Sequence, residues 1–553
     1  MKKYLGKSSK LLFSVVATCS TLIFSNTAAK ALNFNFSYAP GTSWEQIMGF
    51  EVAGAIWGSY LTDNTTVNIY VETTDLLPDN VIGGALPGFK AGQDYREFRD
   101  AIGADITSAD DQLAHSTLSL PDGGHQYQAH SKPWLTWDER LQDQDAVFQA
   151  SFDYYFDTSL TFDSSQDWLN WRADPSTIEQ NGNTYLNLAE AMTGVDMTLT
   201  RANAKALGLD VSGTTEALDA YILMSDLANE SVTWDYNYQR DQNAPANTLD
   251  FVGVAIHEIG HALGFVSSVD RPGWLETPIL EGTHQDLNGA WGDQYRAQYW
   301  SDTVERIKLA TSLDMFRFSE EFRPANETRN WIDLSVGGDI FFSLDSINPL
   351  GYFATGQPID LGGIAGDGFQ ASHWTGTEGS SGIMNPTISA GDVAEISELD
   401  LRAFDAIGWD RQGAGGNVII DYILLENQVK QNIAQQLGVT VAWLEANSSY
   451  VANLLSEDRS QDVIDMIEAS EIYEWGFGGG DGDGCDPNTQ NCGSSQILAQ
   501  AFANEGLFSQ AYWSTLDIET QSVEVPESSP MTALLGLSLL SFGGLVKDKS
   551  TRK

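Results

Sequence analysis

Two histidines four residues apart, with a glutamate between them, constrain this chain more than any other feature of its sequence. The motif reads HEIGHALG and begins at His257. Residues four apart lie one turn apart on the same face of an α-helix, so the imidazoles of His257 and His261 can bind one metal ion. Glu258 lies beside the first histidine, where a carboxylate can take a proton from water that zinc has made more acidic. The motif therefore predicts a zinc-binding helix with Glu258 as its general base.

The residues around the motif have the periodicity of a helix that packs against a core. Apolar side chains repeat at intervals of three and four, which is the pattern of a buried helical face. These side chains belong to Leu249, Val252, Ile256, Ile259 and Leu263. Asn247 or Thr248 is predicted to cap the start of the helix. Gly264 is predicted to end it in a left-handed conformation and to turn the chain back beneath the metal.

The third protein ligand of such a zinc ion is not given by the motif itself. In the commonest continuation a histidine stands three residues after the glycine, but this chain has Ser267 there, and serine is a poor zinc ligand. The downstream candidates are Asp270, Glu281, His284 and His373. Asp270 is the nearest carboxylate, whereas His373 has the more informative neighbourhood. We therefore expect His373 to be the third ligand, with Asp270 as the main alternative.

The residues after His373 predict a turn followed by a helix. The sequence IMNP, from Ile383 to Pro386, is typical of a tight turn that presents Met384. A helix is predicted to begin at Ser397, with Asp400 as its capping-box partner three residues later.

This combination of features resembles the metzincin zinc proteases, and within them the leishmanolysin type. The shared features are HExxHxxG, a distant third histidine, a methionine turn and a closing helix. The chain also has HALGF at His261 to Phe265 and HW at His373–Trp374, as that type does. The resemblance extends over about residues 251–410, and it implies an insertion at about 266–372.

The resemblance implies an α+β fold with a mixed sheet, an active-site helix, a methionine turn and a C-terminal helix. It implies that zinc is bound by His257, His261 and His373. It also implies that Glu258 is the general base and that Met384 forms an apolar floor beneath the metal.

The chain departs from the family in two places. Pro386 stands where some metzincins keep a tyrosine close to the zinc, so no tyrosine switch is expected. There is no cysteine between Ser20 and Gly484, so a cysteine bound to the zinc cannot hold this enzyme latent.

Charge and the N-terminus indicate an exported protein. The chain has 76 acidic and 29 basic residues and a formal charge of −47, so nucleic acid and anionic membrane surfaces would repel it. Residues 1–31 have a basic start, an apolar run from Leu11 to Phe24 and a small-residue cleavage site at Ala29 to Ala31, which predicts a signal peptide. Its removal leaves Cys485 and Cys492, which we expect to form a disulfide.

Residues 32–524 are predicted to form a large domain followed by two smaller parts. Residues 32–412 would form the zinc protease domain, 413–475 a small helical appendage, and 476–524 a Gly/Asp-rich linker with the disulfide loop. The linker also offers calcium ligands, although Gly–Asp loops are more often simple turns. These candidate ligands are Asp481, Asp483 and Asp486.

Residues 525–553 resemble the PEP-CTERM sorting signal of exported bacterial proteins. VPESSP, from Val525 to Pro530, precedes an apolar run at Met531 to Val546 and a basic tail. The resemblance implies a sorting or processing enzyme as a partner, a location at the cell surface or outside the cell, and transient anchoring in the membrane. A plain C-terminal anchor is the alternative.

Together these features predict an exported zinc endopeptidase. A peptide or protein substrate would add as a strand at a sheet edge beside the cleft. VTWDYNYQ, residues 232–239, is either that edge or an ordinary core strand, because its aromatic alternation fits both. Two alternatives stay open: a catalytically inactive zinc protein that binds or scaffolds at the cell surface, and a zinc hydrolase of a non-peptide surface polymer.

Overall fold

The computed structural model describes residues 32–118, 127–128, 177–180, 183–186, 196–270, 310–320, 330–356, 366–376, 381–413, 418–470 and 512–516, apart from a few loop positions within them. Several predicted features lie outside these residues: the signal peptide, the sorting segment from Val525, the candidate ligands Glu281 and His284, the cysteine pair and the calcium candidates. Among the helices described, none is both long enough and apolar enough to cross a membrane.

The strands are distributed along the whole described chain. In chain order they are β1 (Asn33–Tyr38), β2 (Thr66–Thr74), β3 (Val81–Pro87), β4 (Phe89–Asp94), β5 (Tyr127–Gln128), β6 (Thr177–Gln180), β7 (Asn183–Leu186), β8 (Asp196–Thr200), β9 (Ala220–Ser225), β10 (Thr233–Asp235), β11 (Thr248–Asp250), β12 (Arg317–Phe318), β13 (Ile332–Asp333), β14 (Phe341–Phe342), β15 (Gly351–Tyr352), β16 (Thr387–Ile388) and β17 (Tyr512–Leu516).

The helices fall mainly in the first and last parts of the described chain. They are α1 (Trp44–Tyr60), α2 (Tyr95–Ala104), α3 (Ala109–Thr117), α4 (Arg201–Ala206), α5 (Phe251–Leu263), α6 (Glu398–Ala406), α7 (Tyr422–Leu437), α8 (Val441–Ala446), α9 (Ser448–Leu455) and α10 (Ser460–Ala469). Two single 3₁₀ turns, Ser268–Asp270 and Leu313–Phe316, flank the segment that follows α5.

The largest sheet among the described residues has six strands in the order β1-β2-β9-β3-β17-β16. β1, β2 and β9 are parallel to one another, β3 is antiparallel to β9, and β17 is antiparallel to β3. β16 runs parallel to β17. β2 and β9 lie side by side in this sheet and pair over six residues each. The sheet is mixed, so the predicted α+β class is confirmed.

Side chains of the sheet alternate between two apolar layers, as the pleat of a strand requires. On one face Val67, Ile69 and Val71 join a core that includes α1 and α5. The two helices contact each other directly, because the Trp57 indole donates a hydrogen bond of 2.9 Å to the carbonyl of Ile256. All thirteen residues of α5 are buried, so this helix lies inside the protein rather than at an amphipathic surface.

The predicted helical appendage packs onto the rest of the protein. Side chains of α7 and α9, including Ile433 and Val451, belong to the same core as α1 and α5. α10 covers the opposite face of the sheet, where Val463 and Ile467 pack with Tyr70. Residues 512–516 fall within the predicted linker, and they form β17 in the large sheet.

One prediction about the start of α5 is wrong. The helix begins directly after Asp250 and not after Asn247 or Thr248, because residues 248–250 pair with β10 as strand β11. Asp250 makes no side-chain cap hydrogen bond. The predicted substrate edge at 232–239 contributes only β10 to that separate two-stranded sheet. Its aromatic side chains instead pack against the start of α5, with the Trp234 and Phe251 rings 5.2 Å apart.

The predicted insertion at 266–372 supplies most of a second sheet. Among the described residues this sheet has five short strands in the order β15-β14-β12-β13-β5. Its buried Arg317 donates hydrogen bonds to the carbonyls of Ala371 (3.3 Å) and Ala354 (3.1 Å). The Ala354 amide in turn donates to the His373 carbonyl at 2.9 Å. The insertion therefore returns the chain to the histidine motif and holds it there.

Candidate metal centre

His257, His261 and His373 converge on one buried point. Their Nε2 atoms are separated by 3.0 Å (His257 to His261), 3.2 Å (His257 to His373) and 3.2 Å (His261 to His373). None of the three residues is more than 4% exposed. The prediction that His373 joins the pair is confirmed across a separation of more than a hundred residues.

The other ring nitrogen of each histidine faces a backbone carbonyl. Nδ1 of His257 lies 2.7 Å from the Ile383 oxygen, and Nδ1 of His261 lies 2.7 Å from the Phe265 oxygen. Nδ1 of His373 lies 3.1 Å from the Gln370 oxygen. A carbonyl only accepts, so each Nδ1 carries the hydrogen and each Nε2 directs a lone pair to the centre.

This arrangement fits a metal ion better than it fits three histidines alone. Three lone pairs cannot hydrogen-bond to one another, whereas a cation between them binds all three. A tetrahedral ion with bonds of about 2.0–2.1 Å to nitrogen separates its ligand atoms by about 3.4 Å, close to the three Nε2 separations. The three histidines could therefore hold a metal ion.

Burial keeps the imidazoles in the form that binds metal. Removal from water lowers the pKa of His257 to about 4. It also lowers the pKa of His261 well below its ordinary value, with further lowering from His257 and His373. A metal ligand must be neutral imidazole, so neither ring has to lose a proton near neutral pH before it binds.

The helix ends where the prediction places it. Gly264 has φ 123°, a conformation that a residue with a side chain adopts only with strain. The chain reverses at once, so the Phe265 amide donates to the Gly260 carbonyl at 3.1 Å and the Phe265 carbonyl reaches His261 Nδ1. The glycine turn thus supplies the hydrogen bond that orients the second histidine.

Asp270, the alternative third ligand, is not among the groups that converge on the centre. Its carboxylate instead accepts hydrogen bonds from the amides of Ala371 and Ser372 and from the Ser372 hydroxyl. Burial raises the pKa of Asp270 to about 6, against the effect of these donors. The carboxylate therefore fixes the two residues that precede His373.

Ser267, which stands where a third histidine is common, also has a structural role. Its amide donates to the Ser372 hydroxyl at 2.7 Å, and its own hydroxyl donates to Asp314 at 2.6 Å. Asp314 also accepts from the amides of Ser268 (2.9 Å) and Thr311 (2.8 Å). The buried Asp314 thus joins the exit of α5 to the later part of the insertion. No motif marks Asp314 in the sequence.

Asp400 ties the other side of the centre together. The predicted capping box with Ser397 is present at the start of α6. The same carboxylate accepts from the Trp374 indole at 2.8 Å and from the amides of Ile383 (2.9 Å) and Met384 (3.3 Å). One side chain therefore connects the His373–Trp374 segment, the methionine turn and the closing helix.

Met384 is buried beneath α5, as expected. A Cβ added at Gly260 would lie 2.4 Å from the Met384 sulfur, so the helix approaches the methionine turn as closely as a glycine allows. The Met384 carbonyl accepts from the Trp374 amide at 3.0 Å, which links the turn to the third histidine.

Glu258 is fully buried on α5, next to His257 in sequence. It lies against β3, because a Cβ added at Gly83 would be 2.8 Å from Glu258 Oε1. The Glu258 carboxyl, the candidate general base, thus lies between α5 and the sheet.

No protein-family model, curated protein or solved structure matches this chain.

A cavity of about 620 Å³ opens beside His257. One wall is α5, through Gly253 and Val254, and the other is the chain between Ile383 and Ser397 that follows the methionine turn. The cavity thus adjoins the three histidines through His257.

Proposed function

We propose that this chain is a zinc-dependent endopeptidase of metzincin-like architecture, exported to the cell surface or beyond. The observation that carries the proposal is the convergence of three buried Nε2 atoms on one point beside α5, the helix that also holds Glu258. Three neutral imidazoles are a common protein ligand set for a catalytic zinc ion, because they leave a coordination position open.

The chain's own groups account for the remaining requirements of peptide hydrolysis. Bound zinc would polarise the peptide carbonyl and make water more acidic. Glu258 would take the proton of the attacking water and pass it to the departing amine, the role for which a carboxylate beside the first histidine is suited. The cavity beside His257 would receive a substrate side chain and so fix the position of the peptide bond.

In the proposed mechanism, the residues that position the metal ligands differ from the residue that transfers the proton. Asp270, Ser372 and Asp400 fix the segments that hold the third histidine, and none of them is needed for proton transfer. Glu258 is not one of the three metal-binding residues. Its substitution should therefore leave the metal in place and remove only the proton transfer.

The proposal is tested by Glu258→Gln in the mature chain. Zinc content is measured by elemental analysis and cleavage by release of peptides from casein. We expect unchanged zinc and a loss of cleavage of about 100-fold or more. Glu457→Gln, at an exposed glutamate outside α5, is the matched control and should change neither.

Other outcomes of this experiment favour the alternatives. A wild-type chain that binds zinc and cleaves no peptide, but depolymerises a polysaccharide, would be a hydrolase of another class. A zinc-bound chain that cleaves neither would be a binding or scaffold protein. Equal cleavage of casein by wild type and Glu258→Gln would rule out the proposed role of this carboxylate.

A further inference from the structure

Strand β17 lies between two strands that belong to the candidate site. On one side Tyr512, Trp513 and Ser514 pair antiparallel with residues 83–85 of β3. On the other side Thr515 and Leu516 pair parallel with the two residues of β16. The backbone of residues 512–516 thus completes a continuous sheet across this part of the protein.

Both neighbours of β17 are walls of the site. Gly83 of β3 lies against the candidate base Glu258. Thr387 and Ile388 of β16 follow the methionine turn and line the cavity beside His257. The register places Ser514 opposite Gly83, so β17 crosses the site at the level of the glutamate.

The groove between β3 and β16 has the properties of a strand-binding site. Without β17, β3 would be a sheet edge, and unpaired amide and carbonyl groups of an edge bind an added strand through main-chain hydrogen bonds. Such binding depends on backbone direction and register more than on sequence. An extended peptide of the substrate would pair with the same groups of β3 that pair with β17.

We propose that residues 512–516 are an intramolecular occupant of the peptide groove and that they compete with substrate for β3 and β16. The identity of the competing substrate rests on the proposed peptidase function, whereas occupation of the groove does not. Covalent attachment raises the effective concentration of the strand above that of a free peptide. Occlusion by this strand would also give a form of latency that needs no cysteine on the metal.

The register also shows how the strand differs from a regularly paired peptide. Pairing with β3 shifts between Ser514 and Thr515, where the partner of Thr515 is Val81 and the residue between Val81 and Gly83 is skipped. Such a bulge re-aims the backbone locally. The bulge lies beside Gly83 and therefore beside Glu258. At this point the backbone of β17 thus does not follow the path of a regularly paired antiparallel strand.

The test removes the strand's hydrogen bonds in the full mature chain. Trp513→Pro combined with Ser514→Pro eliminates two successive amide donors. Neither residue can then donate a hydrogen bond to the neighbouring strand that its amide faces. Gln521→Pro combined with Ser522→Pro, outside the paired residues, is the matched control. Equal thermal melting of the two variants would show that the core is intact in both.

Two measurements report the groove without depending on catalysis. Hydrogen exchange of the amides in residues 81–85 that face β17 should accelerate about tenfold in the strand variant and not in the control. A fluorescent synthetic peptide of residues 509–519 should bind the strand variant about tenfold more tightly than wild type in an anisotropy titration. Unchanged exchange together with unchanged binding would overturn the proposal.

Casein cleavage then separates the occupied groove from the proposed function. Faster cleavage by the strand variant supports both. Altered exchange and binding, with no cleavage by any form, would support the occupied groove and contradict the proposed peptidase function. Cleavage of all forms at one rate, with unchanged exchange, would support the peptidase function and contradict the occupation of the groove by residues 512–516. Cutting within residues 512–516 by the wild-type chain would make the strand a substrate and would also overturn the proposal.

Discussion

The Asp270 carboxylate accepts hydrogen bonds from both the amide and the hydroxyl of Ser372, the residue that immediately precedes His373. Asp270 follows the glycine turn of α5 by six residues, and His373 comes more than a hundred residues later. This contact therefore joins the two ends of the insertion at the point where the third histidine must be placed. Asp270, whose carboxylate could itself bind a metal ion, thus fixes the segment that carries a different candidate ligand, His373.

We expect Asp270→Ala to weaken zinc binding without abolishing it. The substitution leaves the amides of Ala371 and Ser372 without their acceptor, so the His373 segment loses its fixed position. Loss of groups that orient a ligand commonly reduces metal affinity by about 10–100-fold. The measurement is competition for zinc against a chromogenic chelator. Asp100→Ala, at a carboxylate whose side chain is 78% exposed, should keep the wild-type affinity.

His373→Ala should have the larger effect on the same measurement. It removes one of three ligand atoms and not merely its support, so we expect a loss of zinc affinity that exceeds the range of about 10–100-fold. His115→Ala changes a histidine outside the cluster and is the matched control. Zinc retention by His373→Ala at the wild-type level would move the third ligand elsewhere, and the first candidate would then be His284.

The parts of the site that sequence predicts correctly are those encoded over short distances. His257 and His261 need only a helix to bring them together, and the helix is marked by its apolar repeat and ended by Gly264. The turn at Met384 and the capping box of Ser397 and Asp400 are equally local. Each of these features depends on residues within about two helical turns of one another, where spacing determines geometry.

The parts that sequence does not predict depend on contacts between distant residues. Ser267 and Asp314 are 47 positions apart, and nothing in either segment marks the hydrogen bond between them. The pairing of residues 512–516 with β3 spans most of the chain, and strand partners are set by the whole fold and not by local pattern. The aromatic residues at 232–239 show that one local pattern can fit two different structures. Their alternation fits a sheet edge, and it fits equally well the core contact that they make with Phe251.

Asp400→Ala should destabilise the fold as well as the site. Five groups donate to this buried carboxylate, from Trp374, Ile383, Met384 and both the amide and the hydroxyl of Ser397, and each buried donor left without an acceptor costs about 1–3 kcal/mol. We expect a decrease of about 3–5 kcal/mol in the free energy of unfolding, measured by urea titration of the zinc-free chain. Asp241→Ala, at an exposed position, should change it by less than about 0.5 kcal/mol. A similar small change for Asp400→Ala would show that solvent or a rearranged turn replaces the carboxylate.

Asp405 on α6 should make stability fall as the pH rises. The residue is 1% exposed. Burial is the largest cause that raises the pKa of its side chain, and the nearby Asp111 carboxylate raises it further. The folded protein therefore holds this proton more tightly than the unfolded chain, in which the pKa is about 3.9. The resulting stabilisation is fully present below about pH 4 and is lost as the pH rises through the raised folded pKa.

Asp405→Asn tests this pH dependence because the amide resembles the protonated carboxyl and cannot ionise. The Ser108 hydroxyl, which donates to Asp405 at 2.6 Å, keeps an acceptor in the variant. We expect the variant to be more stable than wild type by about 1–2 kcal/mol at about pH 8 and to differ little at about pH 4.5, as followed by thermal melting across this range. Asp465→Asn, at an exposed helix position, should follow the wild-type profile throughout. A variant less stable than wild type at the alkaline end would show that the folded protein favours the ionised Asp405 carboxylate, and the pKa of this group would then be lowered by folding instead of raised.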